Sequence, residues 1–407
     1  MAIEDLVWWL DNHSGPGYVW YSKRLSGNDT LANESHQAGP YIPKDFLFRM
    51  FPDLNQPETR NPDIRFDLHI HSHDDQRTVR AIWYNNRLHG GTRNEARLTN
   101  FGGRSSALLD PENTGALVLF AFLLGNRGNA EGCDVWVCKT AVEEEIIEDR
   151  IGVVEPGAWT VWTTNQQWLE EKNEEIPPSR ENCCLASNEI PRAWLENFPS
   201  GAEIVRKTVD LRPVRNFSPD DRLIKRRLCE YEIFRSVEEA YELPGIRQGF
   251  TGMDDFLAKA QSILQRRKAR SGRSLELHAR EIFLEEGLQE EMNFSHQPES
   301  DPGKRPDFLF PSEMLYKSSE FPADRLRLLA VKTTCKDRWR QILNEAERVT
   351  TKHLLTLQEG VSVNQFREMT EAGVKLVVPK PVIQSYHDTI KPHLMTLESF
   401  IGEVRLL

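Results

Sequence analysis

Residues 304–349 read KRPDFLFPSEMLYKSSEFPADRLRLLAVKTTCKDRWRQILNEAERV, and this stretch decides the fold of the C-terminal half. It contains two short apolar runs followed by a segment with helical spacing, and the same alternation continues downstream. Strands that alternate with helices predict an α/β sheet with parallel neighbours. The predicted elements are, in order, strand 307–310, strand 326–332, helix 336–349, strand 353–357, helix 363–372 and strand 374–378.

An acidic residue and a lysine lie at the ends of the first two strands. Asp307 follows Pro306 at the start of one strand, and Lys332 ends the next. At the mouths of adjacent strands they would form a metal site for phosphodiester hydrolysis, because a carboxylate binds a hard cation that polarises phosphate and lowers the pKa of its water. The lysine would orient or deprotonate that water. Taken alone, the pair is a weak signal, and ordinary surface charges are the more common explanation of it.

A second carboxylate is needed, and the usual position two residues before the lysine holds Ala330. On the predicted helix 336–349, Glu345 shares a polar stripe with Arg338, seven residues earlier, so it can substitute. Glu276 is a further candidate, beside the apolar stripe of its own predicted helix, and would act through a water or a second metal.

The first 165 residues carry short alternating runs separated by turn-rich segments, which is typical of a β-rich barrel or sandwich. In the run 64–71, apolar and polar residues alternate, so one face is apolar and the other is solvated. The predicted strands are 18–24, 64–71, 78–84, 117–124 and 134–138.

A polar, acidic stretch with a Pro pair separates the two halves, at residues 165–182. We therefore predict a β-barrel domain at 1–165, a linker at 166–188 and a second domain at 189–407. Helical spacing opens the second domain. The predicted helices are 222–241, 252–270 and 274–288, the last with Ser274 as its N-cap.

The composition is that of a soluble globular protein, with 407 residues, 39% hydrophobic residues and 28% charged residues. A chain of this length exceeds what one core usually organises. No window is long and apolar enough for a membrane span, and the N-terminus lacks a signal pattern, so we expect a cytoplasmic protein without a membrane partner. None of the six cysteines has CxxC spacing, so we expect reduced, structural thiols.

The formal charge of −11 argues against a protein that coats polyanions but not against a local DNA site. Positive charge is clustered at 222–227 and again at 266–273, where Arg270 and Arg273 lie. A basic channel on an acidic body is therefore possible.

Three histidines alternate at the end of one predicted strand, His69, His71 and His73. Alternate strand residues point the same way, so two imidazoles could bind Zn²⁺. Because no cysteine or carboxylate pair at suggestive spacing completes a site, a solvated strand face is favoured.

Several segments resemble the EcoRII restriction endonuclease family. They are 329–349, 304–312, 266–278, 354–369 and PENTGALVLFAF (111–122), and the similarity spans nearly the whole chain in one order. The resemblance implies an α/β PD-(D/E)XK nuclease domain in the C-terminal half, in which the second acidic ligand has moved onto the helix that follows the lysine strand. It implies Glu276, Asp307, Lys332 and Glu345 as the catalytic set, with Asp307 and Glu345 binding Mg²⁺.

The resemblance also implies two DNA-contacting regions. Lys336, Asp337 and Arg338 would reach base edges in the major groove, a role that suits donors to guanine and an acceptor from cytosine. The N-terminal domain is similar to the pseudobarrel DNA-binding domain of plant transcription factors, and it would bind a second DNA copy as an allosteric effector. From the matching segments 26–43 and 84–102, the expected effector contacts are His36, Tyr41, Arg93, Asn94, Glu95 and Arg97.

The implied function is that of a type II restriction endonuclease. It would be a homodimer that cuts double-stranded DNA at a CCWGG or CCNGG-type site with Mg²⁺, leaves 5′-phosphates, and shares its site with a cognate DNA methyltransferase. Two alternatives stay open: a non-catalytic sequence-specific DNA-binding regulator, and a repair or modification-dependent nuclease.

Overall fold

In the computed structural model the chain forms two compact units. The first contains the chain up to Ile176 together with two later segments, Gln358–Glu368 and Ser385–Pro392, which the predicted division did not include. The second contains the remainder. The structure describes residues 3–34, 39–125, 128–170, 182–214 and 217–407.

A seven-stranded sheet forms the body of the first unit, as expected for a β-rich domain. Neighbouring strands are antiparallel, apart from one parallel pair at the centre. In spatial order the strands are β4 (Glu95–Thr99), β3 (Asp75–Tyr84), β2 (Asp63–Ile70), β6 (Ala130–Val137), β5 (Leu117–Leu124), β1 (Tyr18–Arg24) and β7 (Trp159–Trp162). The helices are α1 (Ile3–Asn12), α2 (Lys44–Met50), α3 (Ala141–Ile151) and α4 (Gln166–Glu170).

Hydrophobic patterning explains how this sheet is covered. In β2 the alternate residues Phe66, Leu68 and Ile70 are buried, as the period of two predicts. β5 is an unbroken apolar run whose first six residues are all buried, because both of its faces are covered. One face contributes to the larger core, and on the other Trp20 and Trp136 pack with α1.

All five strands predicted in this half are present, and two more were missed. β4 and β7 are short, with five and four residues, and neither combines length with apolar alternation. At the start of the predicted linker, Trp168 of α4 belongs to the core of the first unit. Residues 171–181 of that linker lie outside the described residues, so its bounds stay a prediction.

A five-stranded mixed sheet lies in the second unit. In spatial order the strands are β12 (Val374–Val377), β11 (Lys352–Leu355), β10 (Arg327–Val331), β9 (Phe308–Phe310) and β8 (Ser295–His296). β10, β11 and β12 are parallel to one another, as predicted, whereas β9 is antiparallel to both β8 and β10. The helices are α5 (Arg192–Glu196), α6 (Gly201–Leu211), α7 (Pro219–Gln248), α8 (Met253–Glu285), α9 (Glu313–Lys317), α10 (Val363–Glu371), α11 (Lys380–Ile383) and α12 (Leu397–Val404).

The prediction of two helices at 252–270 and 274–288 was wrong, because α8 is continuous through both. Ser274 does not cap a helix there. It is buried in the helix interior, and its hydroxyl donates to the Glu230 carboxylate of α7 at 2.9 Å. A tertiary contact therefore uses the hydroxyl that a sequence argument assigns to a cap.

Two cysteines correct the expectation of reduced thiols. Cys183 and Cys229 form a disulfide, with their Cα atoms 5.2 Å apart. The two are 46 residues apart in the chain, and packing of the segment near Cys183 against α7 brings them together. Sequence spacing does not reveal such a pair.

Among the described residues, no helix is both long enough and apolar enough to cross a membrane.

Candidate active site

Asp307 and Lys332 meet where the central strands of the second sheet end. Asp307 immediately precedes β9 and Lys332 immediately follows β10, and these strands are antiparallel neighbours. The Lys332 Nζ lies 3.7 Å from Asp307 Oδ2. The same carboxylate oxygen accepts a hydrogen bond from the Val331 backbone N–H at 2.7 Å. The sheet therefore fixes the carboxylate through the strand that delivers the lysine.

Glu345 faces the same site, but not from the helix predicted at 336–349. That stretch forms a short 3₁₀ helix, Arg338–Asn344, and Glu345 follows it with an extended backbone. The predicted α-helix 336–349 was therefore wrong, and with it the argument that an α-helical stripe shared with Arg338 brings Glu345 to the site. A run of 3₁₀ turns places side chains at a different angular spacing from an α-helix.

A buried lysine holds the segment that carries Glu345. The Lys352 ammonium of β11 donates to the backbone carbonyls of Glu345, Ala346 and Val349 at 2.6, 3.1 and 3.0 Å. Lys352 is 6% exposed, so these three bonds form away from solvent. We interpret Lys352 as a positioning residue that fixes the backbone of Glu345, and sequence reasoning missed it.

The charges of this site are under-compensated. Burial raises the pKa of Asp307 above its ordinary value, although Lys332 lowers it, and the charge of Glu276 raises it further. Burial likewise raises the pKa of Glu345; Lys332 and Lys352 oppose this shift and Asp307 adds to it. For both carboxylates, burial and the neighbouring negative charge outweigh the lysines.

Glu276 is held in place by two residues that the sequence did not single out. It is buried on α8, and its Oε1 lies 2.5 Å from His296 Nε2 and accepts a bond from Gln297 Nε2 at 2.7 Å. The His296 ring stacks on Phe308, next to Asp307. No sequence motif predicts a role for His296, because it lies on β8, a strand of only two residues.

These residues fit a hard divalent cation such as Mg²⁺. The donors are carboxylate oxygens, the ligand type that Mg²⁺ prefers. Glu345 Oε2 is buried, and among the described residues nothing hydrogen-bonds it. A buried carboxylate oxygen without a partner is costly unless a cation or a water satisfies it.

The predicted base-contacting residues lie at the start of the same 3₁₀ segment. Asp337 is exposed and lies 3.7 Å from the Arg340 guanidinium, and Lys336 and Arg338 are partly exposed. Arg273 is exposed on α8. Their roles in DNA binding stay predictions.

Most arginines of the two basic clusters, 222–227 and 266–273, form ion pairs with glutamates within the helical hairpin of α7 and α8. Arg270 is only 7% exposed at its side chain and pairs with Glu230 at 2.6 Å. Arg222 and Arg226 are buried and both pair with Glu285 at 2.8 Å. The clusters therefore contribute little of the positive surface that their sequence suggested, and contact of Arg270 with DNA would require that its ion pair open.

The predicted effector residues of the first unit lie on β4 and the loops beside it. Glu95 bridges two arginines, with Arg93 at 3.3 Å and Arg97 at 3.0 Å. Asn94 accepts a bond from the Trp83 indole at 2.9 Å. Tyr41 is 55% exposed, with its backbone N–H bound to Asp29. His36 lies outside the described residues.

Two family models match the chain. The model described as EcoRII C terminal matches residues 234–401, and the model described as Restriction endonuclease EcoRII, N-terminal matches residues 14–166. The chain is also 43% identical over 398 residues to the type II restriction enzyme EcoRII of Escherichia coli, which covers 97% of this chain and 96% of that relative. The chain belongs to the EcoRII restriction endonuclease family.

Solved structures similar to this family member include two complexes of restriction enzymes. Metal-depleted Ecl18kI in complex with uncleaved, modified DNA has a TM-score of 0.44 and 18% identity, and covers 55% of this chain and 84% of its own. The UbaLAI restriction endonuclease B3 domain with cognate DNA has a TM-score of 0.27 and 18% identity, and covers 39% of this chain and 98% of its own.

Membership of the EcoRII family confirms two predictions. The fold class is correct, with a β-rich EcoRII N-terminal domain and an α/β EcoRII C-terminal nuclease domain. The enzyme class, a type II restriction endonuclease, is also correct.

Proposed function

We propose that this restriction endonuclease cuts both strands of double-stranded DNA at a CCWGG or CCNGG-type site in a Mg²⁺-dependent reaction that leaves 5′-phosphates. The observation that carries the proposal is the convergence of Asp307, Lys332 and Glu345 at one end of the second sheet, with Glu345 Oε2 lacking a hydrogen-bond partner among the described residues. The reaction is hydrolysis: a water oxygen bonds to phosphorus, the bond between phosphorus and the 3′-oxygen breaks, and the 3′-oxygen gains a proton.

Each residue of the site has a distinct task in this proposal. Asp307 and Glu345 hold Mg²⁺, which when bound supplies Lewis-acid polarisation of the phosphate and a water of lowered pKa. Lys332, 3.7 Å from Asp307, orients the attacking water and offsets negative charge that develops on the phosphate. Glu276, held by His296 and Gln297, contributes through a water or a second ion.

Recognition of the substrate falls to the segment between the lysine and Glu345. Lys336 and Arg338 would donate to guanine O6 and N7, and Asp337 would accept from cytosine N4. Arg273 would contact a phosphate. A site that is nearly palindromic calls for two copies of this segment, so the proposed active species is a homodimer with two-fold symmetry.

A second DNA copy acts as an allosteric effector in this proposal and binds the N-terminal domain. The residues we assign to that contact are His36, Tyr41, Arg93, Asn94, Glu95 and Arg97. A cognate methyltransferase would act on the same site and need not bind the endonuclease.

The first test is cleavage of unmethylated plasmids with Mg²⁺ by the wild type and by Lys332→Ala, with the ends mapped by sequencing. Lys317→Ala is the matched control, because that lysine is exposed and pairs with its helix neighbour Glu313. We expect wild type and Lys317→Ala to cut at one CCNGG-type motif, and Lys332→Ala to bind DNA without cutting.

Two outcomes would favour the alternatives. DNA binding without cleavage by the wild type would point to a regulator. Cleavage only of methylated plasmids would point to a modification-dependent nuclease.

A further inference from the structure

Two histidines and an aspartate from three separate segments meet in the N-terminal domain, and none of the three belongs to the catalytic or DNA-binding sets assigned above. His13 follows α1, His71 follows β2, and Asp134 lies in β6. One donor atom from each lies within 4.8 Å of the other two. His13 Nε2 is 3.2 Å from Asp134 Oδ2, and His71 Nε2 is 2.7 Å from Asp134 Oδ1.

The hydrogen bond on the far side of His13 decides what its Nε2 can do. His13 Nδ1 lies 2.6 Å from the Trp9 carbonyl oxygen, which can only accept, so Nδ1 carries the hydrogen. In neutral His13 the Nε2 therefore presents a lone pair, and it points at a carboxylate oxygen. Two lone pairs repel each other, so this arrangement requires a cation between them, either a proton or a metal ion.

The surroundings hold the two imidazoles in place. The Trp20 indole donates to the His13 carbonyl at 2.6 Å, and the Trp9 ring stacks on the His13 ring with centroids 4.5 Å apart. The His69 ring lies 3.7 Å from that of His71. A histidine whose other ring nitrogen donates to a backbone carbonyl is the usual arrangement at protein metal sites, since that bond fixes the tautomer and the ring orientation.

We propose that His13, His71 and Asp134 bind one divalent transition-metal ion of the zinc class. Two imidazole nitrogens and one carboxylate oxygen are ligands that Zn²⁺ and Co²⁺ accept, whereas Mg²⁺ prefers oxygen alone. The side chains of His71 and Asp134 are each 26% exposed, which lets an ion enter and a water complete the coordination. The ion ties the end of α1 to β6, so its role is to stabilise the N-terminal domain.

Sequence reasoning considered His71 only with its neighbours His69 and His73 and favoured a solvated face. β2 ends at Ile70, and His71–His73 form a 3₁₀ turn, so the three do not share a strand. The partners of His71 come from positions 13 and 134 instead.

Titration of the full chain with Co²⁺ tests the proposal, because visible absorption reports nitrogen ligands. The chain carries Asp307→Ala, which removes a carboxylate of the candidate active site as a competing ligand. We expect about one Co²⁺ per chain, displaced by Zn²⁺. His13→Gln and Asp134→Asn should each weaken binding by more than the roughly 10- to 100-fold typical of an outer-shell change. His69→Ala, which removes the ring stacked on His71, should bind nearly normally.

A second readout guards against variants that do not fold. Zn²⁺ should raise the Tm of the parent and of His69→Ala, since a ligand that binds only the folded state stabilises it, but not that of Asp134→Asn. Far-UV circular dichroism confirms that each variant is folded. Absence of a cobalt spectrum in the parent, or an unchanged spectrum in Asp134→Asn, would overturn the proposal and leave a protonated His13 as the cation.

Discussion

The α7–α8 hairpin and the candidate active site both bury carboxylates, but the two regions differ in how far neighbouring positive charges compensate them. In the hairpin, Glu230 is 1% exposed and meets Arg270 at 2.6 Å. Burial alone would raise the pKa of Glu242, but hydrogen bonds from Lys259 and Arg266 bring it below its ordinary value. In the candidate active site, Lys332 acts on both Asp307 and Glu345, and Lys352 also acts on Glu345, yet burial keeps the pKa of both carboxylates raised.

This difference separates a structural charge from a functional one. A buried carboxylate with its own arginine is compensated and has no need of a ligand. A buried carboxylate that lacks one, as Glu345 does, gains most from a cation that arrives with the substrate. The two regions should therefore respond differently to the same Glu-to-Gln change.

The largest effect should come from Glu345→Gln in the candidate active site. We expect DNA cleavage to fall by roughly 10² to 10³-fold, because the amide is a poor ligand for the cation. The Tm of the metal-free protein should stay the same or rise, since the change removes an under-compensated buried charge. Single-turnover cleavage and thermal unfolding measure the two quantities. A clear fall in Tm would show that Glu345 is a structural charge after all.

Glu230→Gln in the hairpin should show the reverse pattern. Loss of this carboxylate charge removes the 2.6 Å ion pair between Glu230 and Arg270, whose side chains are 1% and 7% exposed, so the free energy of unfolding should fall by about 3 kcal/mol. The single-turnover cleavage rate at a temperature where the variant is folded should change little. A large loss of cleavage with unchanged stability would contradict the comparison.

The pH dependence of cleavage and of stability should further distinguish the active-site carboxylates from those of the hairpin. The raised pKa of Asp307 and Glu345 means that both take up protons at a pH above the ordinary carboxyl range, so the Mg²⁺ concentration needed for cleavage should rise as pH falls toward that window. The folded state binds more protons there than the unfolded state, so stability of the metal-free protein should fall as pH rises through the window. Glu345→Gln should flatten both curves. Identical curves for the wild type and this variant would show that Glu345 does not titrate there.

The smallest effect should come from the N-terminal domain. Arg97→Ala should weaken binding of effector DNA only a few-fold and reduce the salt dependence of binding by about one charge. Arg80→Ala is the matched control, since Arg80 lies on neighbouring β3 and pairs with Asp63 at 2.8 Å. Fluorescence anisotropy at several salt concentrations measures both. Equal losses in the two variants would argue against a specific role for Arg97.

Strand-end residues of the candidate site were predictable from sequence, and its supports were not. Asp307 and Lys332 lie next to apolar runs, so the pattern itself places them at strand mouths. Glu345 was chosen from an α-helical spacing that the chain does not adopt there, since the segment is a 3₁₀ helix held by Lys352. His296 reaches Glu276 from a two-residue strand, too short to leave a periodic signal.

For the arginine clusters, the sequence gives the positions of the charges, and the ion pairs that they form could not be predicted. Sequence locates positive charge but not its partners, and the partners of Arg222, Arg226 and Arg270 lie 40 to 63 residues away in the chain. Nothing local in the sequence distinguishes an arginine that pairs within the hairpin from one that faces solvent, such as Arg273. The same holds for Cys183 and Cys229, which only the packed fold brings together.

The short 3₁₀ segment Arg338–Asn344 has a consequence for protein engineering. It joins the proposed base-reading residues at one end directly to Glu345 at the other. Any redesign of base preference at Asp337 or Arg338 therefore risks shifting the proposed metal ligand Glu345, because both lie at the ends of one short segment. Altered-specificity variants of this enzyme should be selected for cutting and not for binding alone, and changes outside this segment offer the safer route.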